Sequence, residues 1–377
     1  MKAIWVLLVP LLLLAACCDQ DPVPCGCPVS GPSLDTDRGG EEILESPYNE
    51  FGHREILCTT EITGPLATNG SHFFYWGVRP VPGGLVRVPV DGGAEEHVSE
   101  GGCNVSSSTS KLYQIRMVAN ESHVFWTGEG LCRAPVEGGE AEVLWDPPEN
   151  PGAWDLVYDV VLDGDHLYFT EGGSIREMKL DGTFVKTLVE APLVSHLALD
   201  GDRLWFMAGG GDIGRLDLQN GDMGWVVKSG TPSGRELVFD DERLYWTSYG
   251  NENGCNNSEC FIWAAAKEVG EPAVVAVAAQ PMWGLAAADG HVYWVGNGFM
   301  QERGPHPTAG VYRTNGETGE TALLAVGGTG NSLWGFLLGD EYVFLDPEGA
   351  WANQDPALNR NCILAVPRFP EDWTSSR

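Results

Sequence analysis

Seven segments of this 377-residue chain repeat one order: a tight turn, a hydrophobic residue, then an aromatic pair or near-pair. The clearest copy runs Asp163-Gly164-Asp165-His166-Leu167-Tyr168-Phe169-Thr170, and relatives begin at Asn69, Asn120, Asp200, Asp240, Asp289 and Gly339. The second residue of the pair falls at Tyr75, Trp126, Phe169, Phe206, Trp246, Trp294 and Phe344, so the spacings are 51, 43, 37, 40, 48 and 50 residues. A repeat of about 45 residues built from strands and turns predicts an all-β fold, a seven-bladed β-propeller of four-stranded antiparallel blades.

Each unit divides into four strands. A short apolar innermost strand such as Ser195 to Leu199 leads through an Asp-Gly turn into the aromatic strand. A third strand carries a recurring arginine: Val86-Arg87, Cys132-Arg133, Ile175-Arg176, Gly214-Arg215 and Tyr312-Arg313. A second tight turn, such as Asp91-Gly92-Gly93 or Asp181-Gly182, precedes the outer strand; these are hairpin signals that need positive φ. The last repeat lacks an evident fourth strand, whereas Glu55-Ile56-Leu57-Cys58 stands alone before the first and resembles outer strands such as Glu142-Val143-Leu144. This N-terminal outer strand is expected to complete the last blade and close the ring, bringing Cys58 beside the strand that begins near Cys362, where a disulfide would lock the closure. The propeller is placed at 55–369, with 370–377 as a tail.

The N-terminus has one lysine, Lys2, followed by an apolar run from Ile4 to Ala16. That is the form of a secretory signal, too short for a stable transmembrane helix. It ends Leu14-Ala15-Ala16-Cys17, which resembles the lipobox of bacterial lipoproteins. The resemblance implies that residues 1–16 are removed and that Cys17 carries the lipid. Residues 17–54 are rich in Pro, Gly, Asp, Glu and Ser and read as a flexible tether. The expected location is the bacterial cell envelope, extracytoplasmic and membrane-bound by the lipid alone.

A net charge of −31 argues against nucleic acid and against anionic headgroups, since no basic cluster exists to meet phosphates. Ten cysteines in an exported chain point to an oxidising compartment. Setting aside Cys17, Cys18, Cys25 and Cys27 leaves Cys58, Cys103, Cys132, Cys255, Cys260 and Cys362 as disulfide candidates, with Cys255 and Cys260 in one loop. No histidine stands at zinc-ligand spacing from a cysteine pair.

The repeat, an apolar strand, Asp-Gly, an aromatic pair ending in Thr, then Ile-x-Arg and Asp-Gly, resembles the YWTD-type propeller repeats of lipoprotein-receptor ectodomains. Tyr245-Trp246-Thr247 is the best match, with Phe125-Trp126-Thr127 and Tyr168-Phe169-Thr170 close behind. Ser248, not Asp, follows Thr247, and there are seven repeats where that family usually has six. The resemblance therefore extends to architecture, not to ligands.

Most conspicuous side chains read as scaffold. His72, His123, His166 and His291 occupy one slot, filled in other repeats by Arg203, Arg243 and Glu341, which marks a solvated strand start. Trp126, Trp205, Trp246 and Trp294 should pack between blades. The slot four residues before the first turn differs: it holds Pro65, Arg116, Asp159, His196, Glu236, Gly284 and, approximately, Trp334. These residues should face the mouth of the central channel, where Arg116, Asp159, His196, Glu236 and Trp334 could bind a polar ligand or supply an acid and a base.

Loop lengths supply a direction. Turns between strands one and two and between three and four are short, whereas 99–112, 145–155, 248–260, 296–310 and 346–361 are long and emerge on one face. That face carries Trp145, Trp154, Tyr249, Asn251, Phe299 and Trp351, residue types suited to protein or glycan contacts. Hydrolase, zincin, phosphate-loop and dinucleotide motifs are absent. The expected function is a lipid-anchored binding or scaffolding module for an envelope or extracellular protein or glycan, more in keeping with a non-enzyme and needing no cofactor. The alternative is a lyase or lactonase-like hydrolase with a divalent cation in the channel.

Overall fold

The computed structural model describes residues 54–368 apart from 60–61, 78–83, 101–115, 129, 147–156, 191–193, 210, 229–235, 250–259, 269–270, 279–281, 297–298, 302–303, 307–309, 327–332 and 348–360. These residues form seven antiparallel sheets. The first blade is β2 (Ile62–Thr68), β3 (His72–Gly77), β4 (Gly84–Pro89) and β5 (Glu96–Ser99), and the second is β6 (Met117–Ala119), β7 (His123–Thr127), β8 (Leu131–Pro135) and β9 (Glu142–Trp145). The third is β10 (Val157–Asp163), β11 (His166–Glu171), β12 (Ser174–Lys179) and β13 (Phe184–Glu190), and the fourth β14 (His196–Asp200), β15 (Arg203–Ala208), β16 (Asp212–Asp217) and β17 (Met223–Val227). The fifth holds β18 (Leu237–Phe239), β19 (Arg243–Tyr249), β20 (Cys260–Ala266) and β21 (Ala273–Ala278). In the sixth, β22 (Met282–Ala288) and β23 (His291–Gly296) are joined to β26 (Gly310–Asn315) and β27 (Thr321–Val326). The seventh is β28 (Leu333–Leu338), β29 (Tyr342–Pro347) and β30 (Asn361–Pro367), with β1 (Arg54–Thr59) as its outer strand.

In the β1–β30 pairing, Cys58 stands opposite Cys362 in the ladder. One insertion does more than connect strands: within 296–310, β24 (Phe299–Gln301) and β25 (Gly304–His306) form a small hairpin. β24 joins the outer edge of the fifth blade, with Phe299 opposite Ala278, and that sheet reaches six strands.

The side chains of the aromatic strands are covered on both faces of each blade by the neighbouring blades. Trp126, Trp205, Trp246 and Trp294 are fully buried. Among the described residues the apolar core falls into seven clusters, each spanning two neighbouring blades. Trp76 of the first blade meets Trp126 of the second at 5.8 Å. The ring closes in the same way, with Phe73 of the first blade 4.8 Å from Phe344 of the seventh.

A second, polar repeat binds the blades together. The residue after each third strand donates its N–H to the carbonyl of the first turn in its own blade: Val90 to Ser71, Val136 to Ser122, Leu180 to Asp165, Leu218 to Asp202, Lys267 to Glu242, Gly316 to Gly290 and Arg368 to Glu341. Four of the carbonyls of these residues accept from an arginine of the preceding blade. Arg87 reaches Val136 O at 2.7 Å, Arg313 reaches Arg368 O at 3.0 Å, and Arg133 bonds Leu180 O. In the fifth blade Ala264 occupies the arginine position opposite Tyr245, and Arg243 from the start of β19 reaches Gly316 O at 3.1 Å instead. Arg215 pairs with Glu268 of the next blade at 3.7 Å.

Arg176 does not belong to this set, contrary to the sequence reading. Its strand register places Glu177 opposite Tyr168, the position equivalent to Arg87 opposite Phe74, and Arg176 opposite Phe169. A shift of one residue turns a strand side chain to the other face. Arg176 therefore bonds Glu171 at 2.7 Å and lies 4.9 Å over the Trp145 ring.

Candidate functional site

Among the described residues three second strands carry a buried threonine at or near their ends, Thr127, Thr170 and Thr247, and these mark the blades with a charged residue at or near the start of the innermost strand. Thr127 Oγ1 accepts the Arg116 N–H at 2.8 Å, and the Thr127 N–H returns to Arg116 O at 2.9 Å. Thr170 Oγ1 accepts the Asp159 N–H at 3.1 Å. The Thr247 N–H reaches Glu236 O at 3.4 Å. The ladder is irregular at Asp159, which falls in a register shift between Val157 and Val160. A bulge of this kind re-aims a side chain while leaving an amide unpaired, and the threonine hydroxyl satisfies that amide. Pro65, Gly284 and Trp334 fall in equivalent register shifts, with Gly284 at φ 65°. His196 is the exception: it pairs regularly with Met207.

The structure brings together Arg116, Asp159, His196 and Glu236 from four successive blades. Arg116 Nη2 reaches Glu236 Oε1 at 3.0 Å, linking the second blade to the fifth. Asp159 Oδ1 accepts the Val160 N–H at 2.8 Å and Oδ2 accepts the Leu197 N–H at 2.9 Å, so its carboxylate also ties the third blade to the fourth. His196 Nδ1 stands 3.8 Å from Asp159 Oδ2. The Arg116 and Glu236 side chains keep 33% and 26% of their surface open to solvent, whereas Asp159 keeps 10%.

Burial pushes the Asp159 carboxyl up from 3.8 to about 6, against the opposing pull of Arg116 and the two backbone N–H groups; Glu236 adds to the rise. Arg116 is held above the ordinary guanidinium value, first by Glu236 and then, after a burial cost, by Asp159. The arginine is therefore a fixed cation shared by two carboxylates, hydrogen-bonded to one of them. With its carboxyl at about 6, Asp159 changes protonation within the range useful to a general acid or base, and an imidazole nitrogen stands 3.8 Å away, beyond hydrogen-bond distance. Among the described residues no three His, Cys, Asp or Glu side chains converge to hold a metal ion.

The remaining sequence candidates stand as follows. Trp334 lies on β28 and Tyr249 ends β19 opposite Cys260, while Phe299 opens β24; their backbone positions alone are described. Trp154, Asn251 and Trp351 lie outside the described residues, as do Cys17, Cys103 and Cys255. Trp145 does not belong to a recognition loop: it ends β9, with its ring 5.7 Å from both Phe169 and Phe184. The shared histidine slot is a strand start, where His72 and His123 each contact the preceding serine hydroxyl at 2.9 Å. Sequence reasoning missed the three threonines as supports of the charged slots, although the aromatic-pair-Thr ending that marks them was visible.

No known family and no curated protein matches the chain. Solved structures do resemble it in shape. The Pan2 WD40 domain of Neurospora crassa is 9% identical with a TM-score of 0.55, covering 85% of this chain and 97% of that one. An oligogalacturonate lyase in complex with manganese is 14% identical with a TM-score of 0.53, over 82% and 90%. YCF48 from Cyanidioschyzon merolae is 12% identical with a TM-score of 0.52, over 85% and 99%. At these identities the likeness establishes the propeller fold alone.

Proposed function

We propose that this protein is a lipid-anchored, extracytoplasmic propeller of the bacterial envelope that binds an envelope or extracellular protein or glycan on the face around its channel mouth. The observation that carries the reading is the convergence of Arg116, Asp159, His196 and Glu236 where the innermost strands begin. The second strands end and the third strands begin at that same end, whereas the Asp-Gly hairpins turn at the other. Binding residues concentrate where connections leave a rigid scaffold beside a partly solvated polar cluster.

Shape does not choose between binding and catalysis, since propellers of similar form include both a WD40 domain and a lyase. One observation favours the enzyme as a second reading: Asp159 near 6 lies beside His196. The donor set does not suit a divalent cation, because Arg116 already balances one of the two carboxylates and leaves a single negative charge; a catalytic channel here would work by proton transfer.

Export is supported by the signal-like N-terminus and by the six cysteines beyond Cys27, an even set suited to disulfides that includes the buried Cys132 and Cys260. We infer that Cys58 and Cys362, which stand opposite each other where the ring closes, form one such pair. Peptide mapping of the unreduced protein should recover a fragment joining these two cysteines; recovery of either one joined elsewhere rejects the pairing. The functional reading is tested by affinity capture from an envelope extract with the intact protein. A specific protein or glycan should be retained, and retention should fall when Arg116 and Glu236 are both replaced by alanine. Capture of nothing specific, or capture indifferent to these changes, counts against the channel-mouth face.

A further inference from the structure

Among the described residues, the groups that face one another at the channel mouth are Arg116 before β6, Asp159 on β10, His196 on β14 and Glu236 before β18. Two carboxylates and one guanidinium leave one negative charge in excess while the imidazole is neutral. Arg116 gives its hydrogen bond to Glu236 and acts on Asp159 only through space. Asp159 has backbone N–H donors on both oxygens but no hydrogen-bonded cation among the described groups. A carboxylate has about four acceptor sites, so capacity remains on each oxygen. An entering anion would meet two carboxylates and would have to take Arg116 from Glu236. An entering cation meets the excess charge directly, and the field of a chain of net charge −31 draws it in.

Building on the binding role proposed above, we infer that the channel mouth receives a primary ammonium group facing Asp159 and Glu236, carried on a lysine side chain of a bound protein or on a free amine. An ammonium is a compact point charge with three donors, suited to carboxylates that already share a guanidinium. It adds a hydrogen-bonded positive charge to that of Arg116, which acts on Asp159 only through space, and so favours the ionised carboxylate. Binding is therefore coupled to release of the Asp159 proton. With its carboxyl at about 6, roughly one-tenth of Asp159 is ionised at pH 5 and nearly all of it at pH 8. Affinity for an ammonium should fall about tenfold between pH 8 and pH 5.

The test is calorimetry on the full chain with three probes: Nα-acetyl-lysine methylamide, 1,5-diaminopentane, and propionate as the anionic control. Both amines should give saturable heats at pH 8 and propionate none. In two buffers of different ionisation enthalpy at pH 6, about half a proton should be released per amine bound. Asp159→Asn and Glu236→Gln should each weaken the amine at least tenfold, with unfolding curves confirming that both variants are folded. Tighter binding of the lysine derivative assigns the site to a partner's side chain, and tighter binding of the diamine assigns it to a free amine. The inference is overturned if propionate binds as well as the amines, if the amine affinity is the same at pH 5 and pH 8, or if neither substitution matters. Should capture from the envelope extract succeed while no amine binds, the binding role stands and this inference falls.

Discussion

Asp159→Asn should gain about 2 kcal/mol of stability relative to the wild-type protein as the pH is raised from 4 to 7.5. The cause is the displacement of the Asp159 carboxyl from 3.8 to about 6, for which burial is the main reason. A group whose value is raised on folding contributes stability that is full below its unfolded value, here 3.8, and is lost as the pH climbs through about 6. Ionised Asp159 is thus a burden on the folded state at neutral pH, and an amide does not carry that burden. Asparagine keeps one carbonyl acceptor, so one of the bonds from Val160 and Leu197 is weakened; that penalty does not vary with pH and cancels in the comparison. Urea unfolding of both proteins at the two pH values gives the difference. Parallel pH profiles would show that Asp159 keeps an ordinary carboxyl.

Arg368→Met should cost about 3 kcal/mol, because several charge-assisted hydrogen bonds are lost together. Arg368 follows β30 and its side chain is buried. Its guanidinium donates to Gly339 O at 3.1 Å and Asp340 O at 2.9 Å, approaches Tyr293 Oη at 3.3 Å and pairs with Asp289. These contacts tie the sixth blade to the seventh at the end of the ring. Methionine retains much of the apolar volume but leaves two backbone carbonyls without their donor. Asp289→Asn should cost well under 1 kcal/mol, since Asp289 is 66% exposed and exposed ion pairs contribute little. Asparagine also tolerates the positive φ of 53° at that position. Equal losses in denaturant titrations of the two variants would mean that the Asp289 ion pair, rather than the bonds to Gly339 and Asp340, holds the junction.

The blades were legible in the sequence because their signals are local. Asp-Gly turns, alternating strands and aromatic pairs each act over a few residues, and their sevenfold recurrence separates them from chance. The arginine of the third strand was legible as a recurring residue type but not as a contact. Ile175-Arg176 looks like Val86-Arg87 in sequence, yet the ladder sets it one residue out of phase and turns it toward Glu171 and Trp145. Register is decided by how three strands settle against each other, and a motif of two residues does not contain it. The charged slot was found by counting back from the first turn; its cause, a bulge or strand start supported by Thr127, Thr170 or Thr247, was not.

Local chemistry in the sequence thus determined the repeat unit, its hairpins and which residues would begin each innermost strand. Tertiary structure alone decided what those residues do to one another. Arg116 and Glu236 are 120 positions apart and meet at 3.0 Å because the ring is round, so that the second and fifth blades present their inner strands to one channel. The excess charge at that mouth and the raised carboxyl of Asp159 follow from this meeting and from burial. Neither is a property of any segment taken singly, because pairwise charge interactions depend on distance and solvent exposure, which the chain acquires only when the blades close on themselves.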